Sequence, residues 1–91
     1  MYVDLQESRR QIDEIDSQIV SLFEKRMEIA GNVADYKMAT GKPVFDKERE
    51  EAILEKVAAR VTNKDFEEAV VATFSDIMKQ SRLYQEKQLH D

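Results

Sequence analysis

From Ile12 the chain runs through Ile15, Ile19, Leu22, Arg26, Ile29 and Val33 in steps of alternately three and four residues. That spacing keeps one stripe of an α-helix turned toward a partner, so Arg26 falls where the pattern calls for an apolar side chain. Lys37 continues the line, because eleven residues at about 100° each bring it back to within roughly 20° of Arg26. Two cations thus point inward from one helix face. An unpaired charge taken out of water is costly even after relaxation, so both must meet an anion there. No acid shares the stripe, and the partner this implies is an anionic ligand.

The same reading sets out the elements. Gly41-Lys42-Pro43 holds one of the two glycines and the only proline, and it is the one clear break. Before it, the helical pattern runs from about Asp4 to Ala39, interrupted only by Gly31, and predicts a helix of roughly 35 residues, about 50 Å long. One helix of that length cannot bury its own stripe, which favours an intertwined dimer. Asp46 reads as the N-cap of a second helix, with Glu48 in the first turn and Ala52, Ile53, Leu54 and Val57 on its buried side, ending near Arg60. Thr62-Asn63-Lys64-Asp65 offers further capping chemistry. A third helix follows through Phe66, Val70, Val71, Phe74, Ile77 and Met78 toward Gln88. No strand pattern, repeat or linker is present, so the expected fold is all-α: one domain over residues 1–91, with a long, a short and a medium helix.

The third helix repeats the anomaly of the first. Val71, Phe74, Met78, Ser81 and Gln85 share one stripe, and the last two members can hydrogen-bond. The start of the second helix places Asp46 and Glu50 four residues apart, with Arg49 beside Glu50. Each feature has a plainer explanation. Arg26 could pair at the surface with Glu24 or Glu28, and Glu50 with Arg49 or Lys47. Ser81 and Gln85 could form a polar layer that fixes helix register. One common pocket accounts for all of them together.

Composition narrows the chemistry. Without cysteine, disulfides, thiolate metal sites and cysteine nucleophiles are excluded, and His90, the single imidazole, reads as a solvated tail residue. A net charge of −5 and a pI near 4.9 have the wrong sign for nucleic acid or an anionic membrane surface. Met1-Tyr2-Val3-Asp4 opens no secretory leader and no apolar run is long enough to span a bilayer, so a cytoplasmic protein is expected.

Arg9 adds a geometric condition. It precedes Arg26 by seventeen residues, about 25 Å along a helix and roughly 100° around it, so one small molecule cannot touch both in one subunit. If two long helices pack antiparallel across a two-fold axis, Arg9 of one subunit can approach Arg26 and Lys37 of the other, and the site occurs twice.

The ordered set Arg9, Ile12-Asp13-Glu14-Ile15-Asp16, Glu24-Lys25-Arg26, Lys37, Pro43-Val44-Phe45-Asp46-Lys47-Glu48-Arg49-Glu50 and Ser81-Arg82-Leu83-Tyr84-Gln85 resembles the all-helical chorismate mutases of the AroQ class. The resemblance extends from about Ser8 to Gln88. It implies a six-helix homodimer with shared sites that converts chorismate, a dicarboxylate, to prephenate by a Claisen rearrangement. That step lies on the shikimate branch to phenylalanine and tyrosine. By this resemblance Arg26 and the neighbouring subunit's Arg9 grip the two carboxylates, Ser81 assists, Lys37 meets a carboxylate and the ether oxygen, and Gln85 donates to that oxygen. Glu50 accepts from the substrate hydroxyl, with the Asp46 backbone nearby and Arg49 orienting this edge.

Such chemistry needs positioning and charge rather than a nucleophile, a metal, a cofactor or a proton shuttle, and a neutral amide at Gln85 implies activity over a broad neutral pH range. Helical phase is expected to turn Arg82 and Tyr84 partly away from the pocket. The resemblance also allows a complex with another shikimate-pathway enzyme. Isochorismate pyruvate lyase shares the fold and is the enzymatic alternative; a non-catalytic helical regulatory dimer is the alternative of another class.

Overall fold

The computed structural model describes residues 4–90, which form α1 (Leu5–Thr40), α2 (Lys47–Arg60), a 3₁₀ turn (Lys64–Phe66) and α3 (Glu67–His90). Met1–Val3, part of the segment read above for a leader, and Asp91 lie outside the described residues. The expected all-helical class and the long, short and medium lengths agree with helices of 36, 14 and 24 residues.

The ends of the helices follow from local chemistry. The Asp4 carboxylate accepts from Glu7 N at 3.2 Å and caps α1. At the other end Gly41 takes φ 70°, ψ 19°, a left-handed conformation open to glycine at little steric cost, and the chain turns back so that Lys42 N donates to Lys37 O at 2.9 Å. Pro43 then bars any continuation. Asp46 caps α2 as expected, accepting from Arg49 N at 3.0 Å, and α2 stops at Arg60. The third helix differs from its expected start. Asn63 accepts from Asp65 N at 3.0 Å and opens a 3₁₀ turn, and only then does the α-helix begin. Lys64 staples this junction by donating to Ala58 O and to the Glu67 carboxylate.

α3 is the packing hub. It lies against both α1 and α2, which do not pack on each other. Its predicted stripe holds, with Met78, Ser81 and Gln85 buried and Val71 and Phe74 half-buried. Burying Met78 contributes about 2 kcal/mol. The face that α1 offers α3 is not the predicted seam. Met27, Ala30, Gly31 and Ala34 meet α3, about a quarter-turn around the helix from Arg26. Small side chains let the helices approach closely there. A Cβ on Gly31 would stand 3.1 Å from Gln88 Oε1 and 3.6 Å from Tyr84 Cε2.

Among the described residues the N-terminal half of the seam therefore stays open to solvent, while Arg26 in its C-terminal half meets α3. Every residue from Arg9 to Leu22 is exposed, including Ile12, Ile15, Ile19 and Leu22 at more than half of their surface. Buried apolar residues among those described are only Ala34, Val44, Val57 and Met78. The accessible surface of 7568 Å² exceeds by roughly 2,000 Å² the 5,500 Å² or so typical of a folded monomer of this mass. No helix among the described residues is long and apolar enough to cross a membrane.

Candidate active site

A cleft of about 280 Å³ opens where the C-terminal half of α1, the start of α2 and the C-terminal half of α3 converge. Seven of the eight predicted site residues line it: Arg26, Lys37, Asp46, Arg49, Glu50, Ser81 and Gln85. Arg9 does not; it is exposed on the second turn of α1, outside the cleft.

The wall formed by α1 and α3 carries fixed donors. Arg26 Nη1 donates to Ser81 Oγ at 2.9 Å, and the Ser81 hydroxyl itself donates back to the Ile77 carbonyl at 2.9 Å. The surface pairing of Arg26 with Glu24 or Glu28 does not occur among the described contacts. A guanidinium has five N–H groups, so one contact to Ser81 leaves most of its fork for a ligand. Gln85 Nε2 donates to Ala30 O at 2.8 Å, which fixes the amide and leaves its second N–H. Lys37 stands in the last turn of α1, where its Nζ donates to Val44 O at 2.6 Å. That bond ties the cation to the buried base of the interhelical loop and leaves two of its three donors.

The facing edge belongs to α2. Asp46 uses its carboxylate on its own helix cap, and Arg49 is exposed at the rim. Glu50 is half-buried and pairs neither with Arg49 nor with Lys47, but with Arg82 of α3. The expectation that helical phase turns Arg82 partly away is therefore corrected: one residue beyond Ser81, its long side chain bends over the cleft edge and lines it. The guanidinium also lies over the Phe45 ring, 5.0 Å from the centroid. Sequence reasoning had no local spacing with which to find this pair, because its members stand 32 residues apart on different helices. Tyr84 stays largely exposed and is not among the lining residues.

Formally, the lining cations Arg26, Lys37, Arg49 and Arg82 outnumber the carboxylates Asp46 and Glu50 by two in a chain whose net charge is −5. The cleft is a local basin for a dianion of small-molecule size, with apolar walls from Ile29, Val33, Ile53 and Met78. His90 is exposed at the end of α3 with Nε2 3.3 Å from Glu86 Oε2 and is absent from the lining. No group of three or more His, Asp or Glu side chains among the described residues is placed to hold a metal ion.

Comparison with known proteins identifies the family. The family model for chorismate mutase type II matches residues 8–86. The chain is 30% identical over 88 residues to a chorismate mutase of Methanocaldococcus jannaschii, a match covering 96% of this chain and 89% of that one. It is 33% identical over 88 residues to a bifunctional chorismate mutase/prephenate dehydratase of Buchnera aphidicola subsp. Schizaphis graminum, where the match spans 96% of this chain and 23% of the longer relative. No solved structure gives a significant match. With a match across almost its whole length and a dianion-suited cleft inside that match, the chain belongs to the chorismate mutase type II family and is an isomerase.

Proposed function

We propose that this enzyme converts chorismate to prephenate at the shikimate branch toward phenylalanine and tyrosine, acting as an intertwined six-helix homodimer with two shared sites. The observation that carries the reading is the set of pre-fixed donors in one cleft: Arg26 held by Ser81, Lys37 held by the loop, and Gln85 held by Ala30. The unpartnered seam from Ile12 to Leu22 and the surplus surface support the dimer, since an interface that covers about 2,000 Å² per chain is of the size found in obligate pairs. Such packing brings Arg9 of the second subunit to the open end of the cleft.

In this mechanism Arg26 and the second subunit's Arg9 each grip a substrate carboxylate, a task for which a planar fork suits better than an ammonium. That grip folds the enolpyruvyl chain over the ring. The ether C–O bond then breaks as the new C–C bond forms within one molecule, so atoms and electrons balance with no proton transfer and no redox change. Negative charge grows on the ether oxygen at the moment of bond exchange. The free hydrogens of Lys37 and Gln85 meet it there, and donors already fixed favour the transition state over the substrate. Glu50 accepts from the ring hydroxyl and orients the ring. Near-attack positioning of this kind is worth several orders of magnitude in rate.

The test is a proton NMR time course of the purified protein with chorismate, beside an Arg26→Ala control. Prephenate from the parent and none from the control is the expected result. Release of pyruvate instead would redirect the reading to lyase chemistry, and no turnover would leave a non-catalytic helical dimer.

A further inference from the structure

Arg82 is a cation of the cleft to which neither the helical stripes, the family resemblance nor the proposed chemistry gives a role. It projects from α3 directly after Ser81, makes an ion pair with Glu50 of α2, and rests its guanidinium on the Phe45 ring in the α1–α2 loop. The pair is sheltered: the Arg82 side chain is 31% exposed and that of Glu50 20%. Three separate segments thus meet on one guanidinium. The carboxylate it holds is the one placed to accept from the substrate ring hydroxyl. Glu50 Oε1 takes the Arg82 donor, which leaves Oε2 free for a ligand.

We infer that Arg82 is a positioning residue: it orients the Glu50 carboxylate toward the ring hydroxyl and cancels its charge so that the substrate dianion is not repelled. This rests on the proposed mutase function. Two features of the geometry favour an indirect role over a direct grip on substrate. The guanidinium is already engaged on its edge by Glu50 and on its face by Phe45, whereas Arg26 has only one donor committed to a neutral hydroxyl. An unscreened Glu50 would also oppose a ligand of charge −2 at short range. The stacked, edge-paired arrangement suits arginine in particular, because an ammonium can match the charge but not the planar contact with the ring.

The test is a double-mutant cycle on the full chain, read after the parent is shown to turn over chorismate. Arg82→Met keeps the aliphatic bulk and removes the guanidinium; it is expected to lower kcat/KM by about ten- to a hundred-fold, through both kcat and KM. In a Glu50→Gln background the same change is expected to cost less than about threefold, since the group Arg82 serves is gone. A chorismate analogue that lacks the ring hydroxyl still meets the unscreened Glu50 charge but has no hydroxyl to orient, so it should lose less than chorismate does, a readout that a general loosening of the fold would not move. Arg82→Lys restores part of the loss, and carries the cycle if circular dichroism shows that Arg82→Met melts early. Equal losses in the parental and Glu50→Gln backgrounds, or an equal loss with the analogue, would overturn the inference in favour of direct substrate contact or structure. So would unchanged kinetics in Arg82→Met. An inactive parent would instead sink the mutase reading, and this one with it.

Discussion

The two halves of α1 belong to one unbroken helix, yet they live in different environments. From Arg26 onward the helix is held by α3: Ser81 touches Met27 and Arg26, Gln85 reaches Ala30, and Gln88 reaches Gly31 O at 3.1 Å and Asp35 at 2.6 Å. From Arg9 to Leu22 every residue is exposed, although Ile12, Ile15, Ile19 and Leu22 are as apolar as any core helix. The difference teaches that the seam and the packing face are separate surfaces a quarter-turn apart. One serves the chain's own fold through small residues. The other is a large apolar stripe spent, in the proposed dimer, on a second copy.

The sharpest way to break that contrast is to charge the uncovered half. Ile15→Asp together with Ile19→Asp places four carboxylates in an isologous interface, each costing several kcal/mol once buried. The expected outcome is a mass by light scattering that falls from twice 10.6 kDa to a single chain, with activity lost. A parent that is already monomeric and active would dissolve the contrast altogether. On the covered half, Arg26→Ala should cost about a thousandfold in kcat/KM, the size expected when a part-buried carboxylate loses its guanidinium. Steady-state kinetics measures it. Mixing it with Arg9→Ala should restore up to about one quarter of parental activity, because statistical exchange leaves half of the dimers with one intact site of two.

The helical fold was legible because the punctuation is sparse and chemically specific. Gly41, Pro43 and the Asp46 cap fixed the ends of α1 and α2 to within a residue. The cleft was legible where polar groups interrupt apolar stripes, which exposed Arg26, Lys37, Ser81 and Gln85. Two things left no such mark. Ala30, Gly31 and Ala34 form the real packing face, but small residues carry little hydrophobic signal, so the larger side chains of the seam dominated the pattern. Arg82 was hidden because its partner lies on another helix and its own phase points off the stripe; only the reach of a long side chain brings it to Glu50.

A smaller effect sharpens the packing side. Gly31→Ala removes the backbone freedom of a mid-helix glycine, a gain of about 1 kcal/mol, against the displacement of one flexible amide at 3.1 Å. The Gln88 side chain can yield, so a net gain below about 1 kcal/mol is expected in a thermal melt.

The smallest effect sits at the far end of that half. Arg10 donates to Glu7 and Glu14, and its guanidinium, followed by the Gln11 amide, holds the Glu7 carboxyl below its ordinary value of 4.5. A carboxyl lowered on folding stabilises at neutral pH, and its contribution disappears as acid protonates the folded form, below 4.5. Because nearly half of the Glu7 side chain is open to solvent, Glu7→Gln should only slightly narrow the drop in melting temperature between neutral and acid buffer.

The place of α3 as hub has a consequence for how the molecule is made. Arg26 and Ser81 are 55 residues apart, as are Ala30 and Gln85, and Glu50 and Arg82 are separated by 32. A ribosome therefore releases both α1 and α2 before any part of the cleft can close, since those two helices do not pack on each other and loop closure must wait for the last turns of α3. The growing chain carries its cations and its long apolar stripe exposed together until α3 has emerged. Recognition of a substrate is a property that arrives with the turn of α3 that carries Ser81, Arg82 and Gln85.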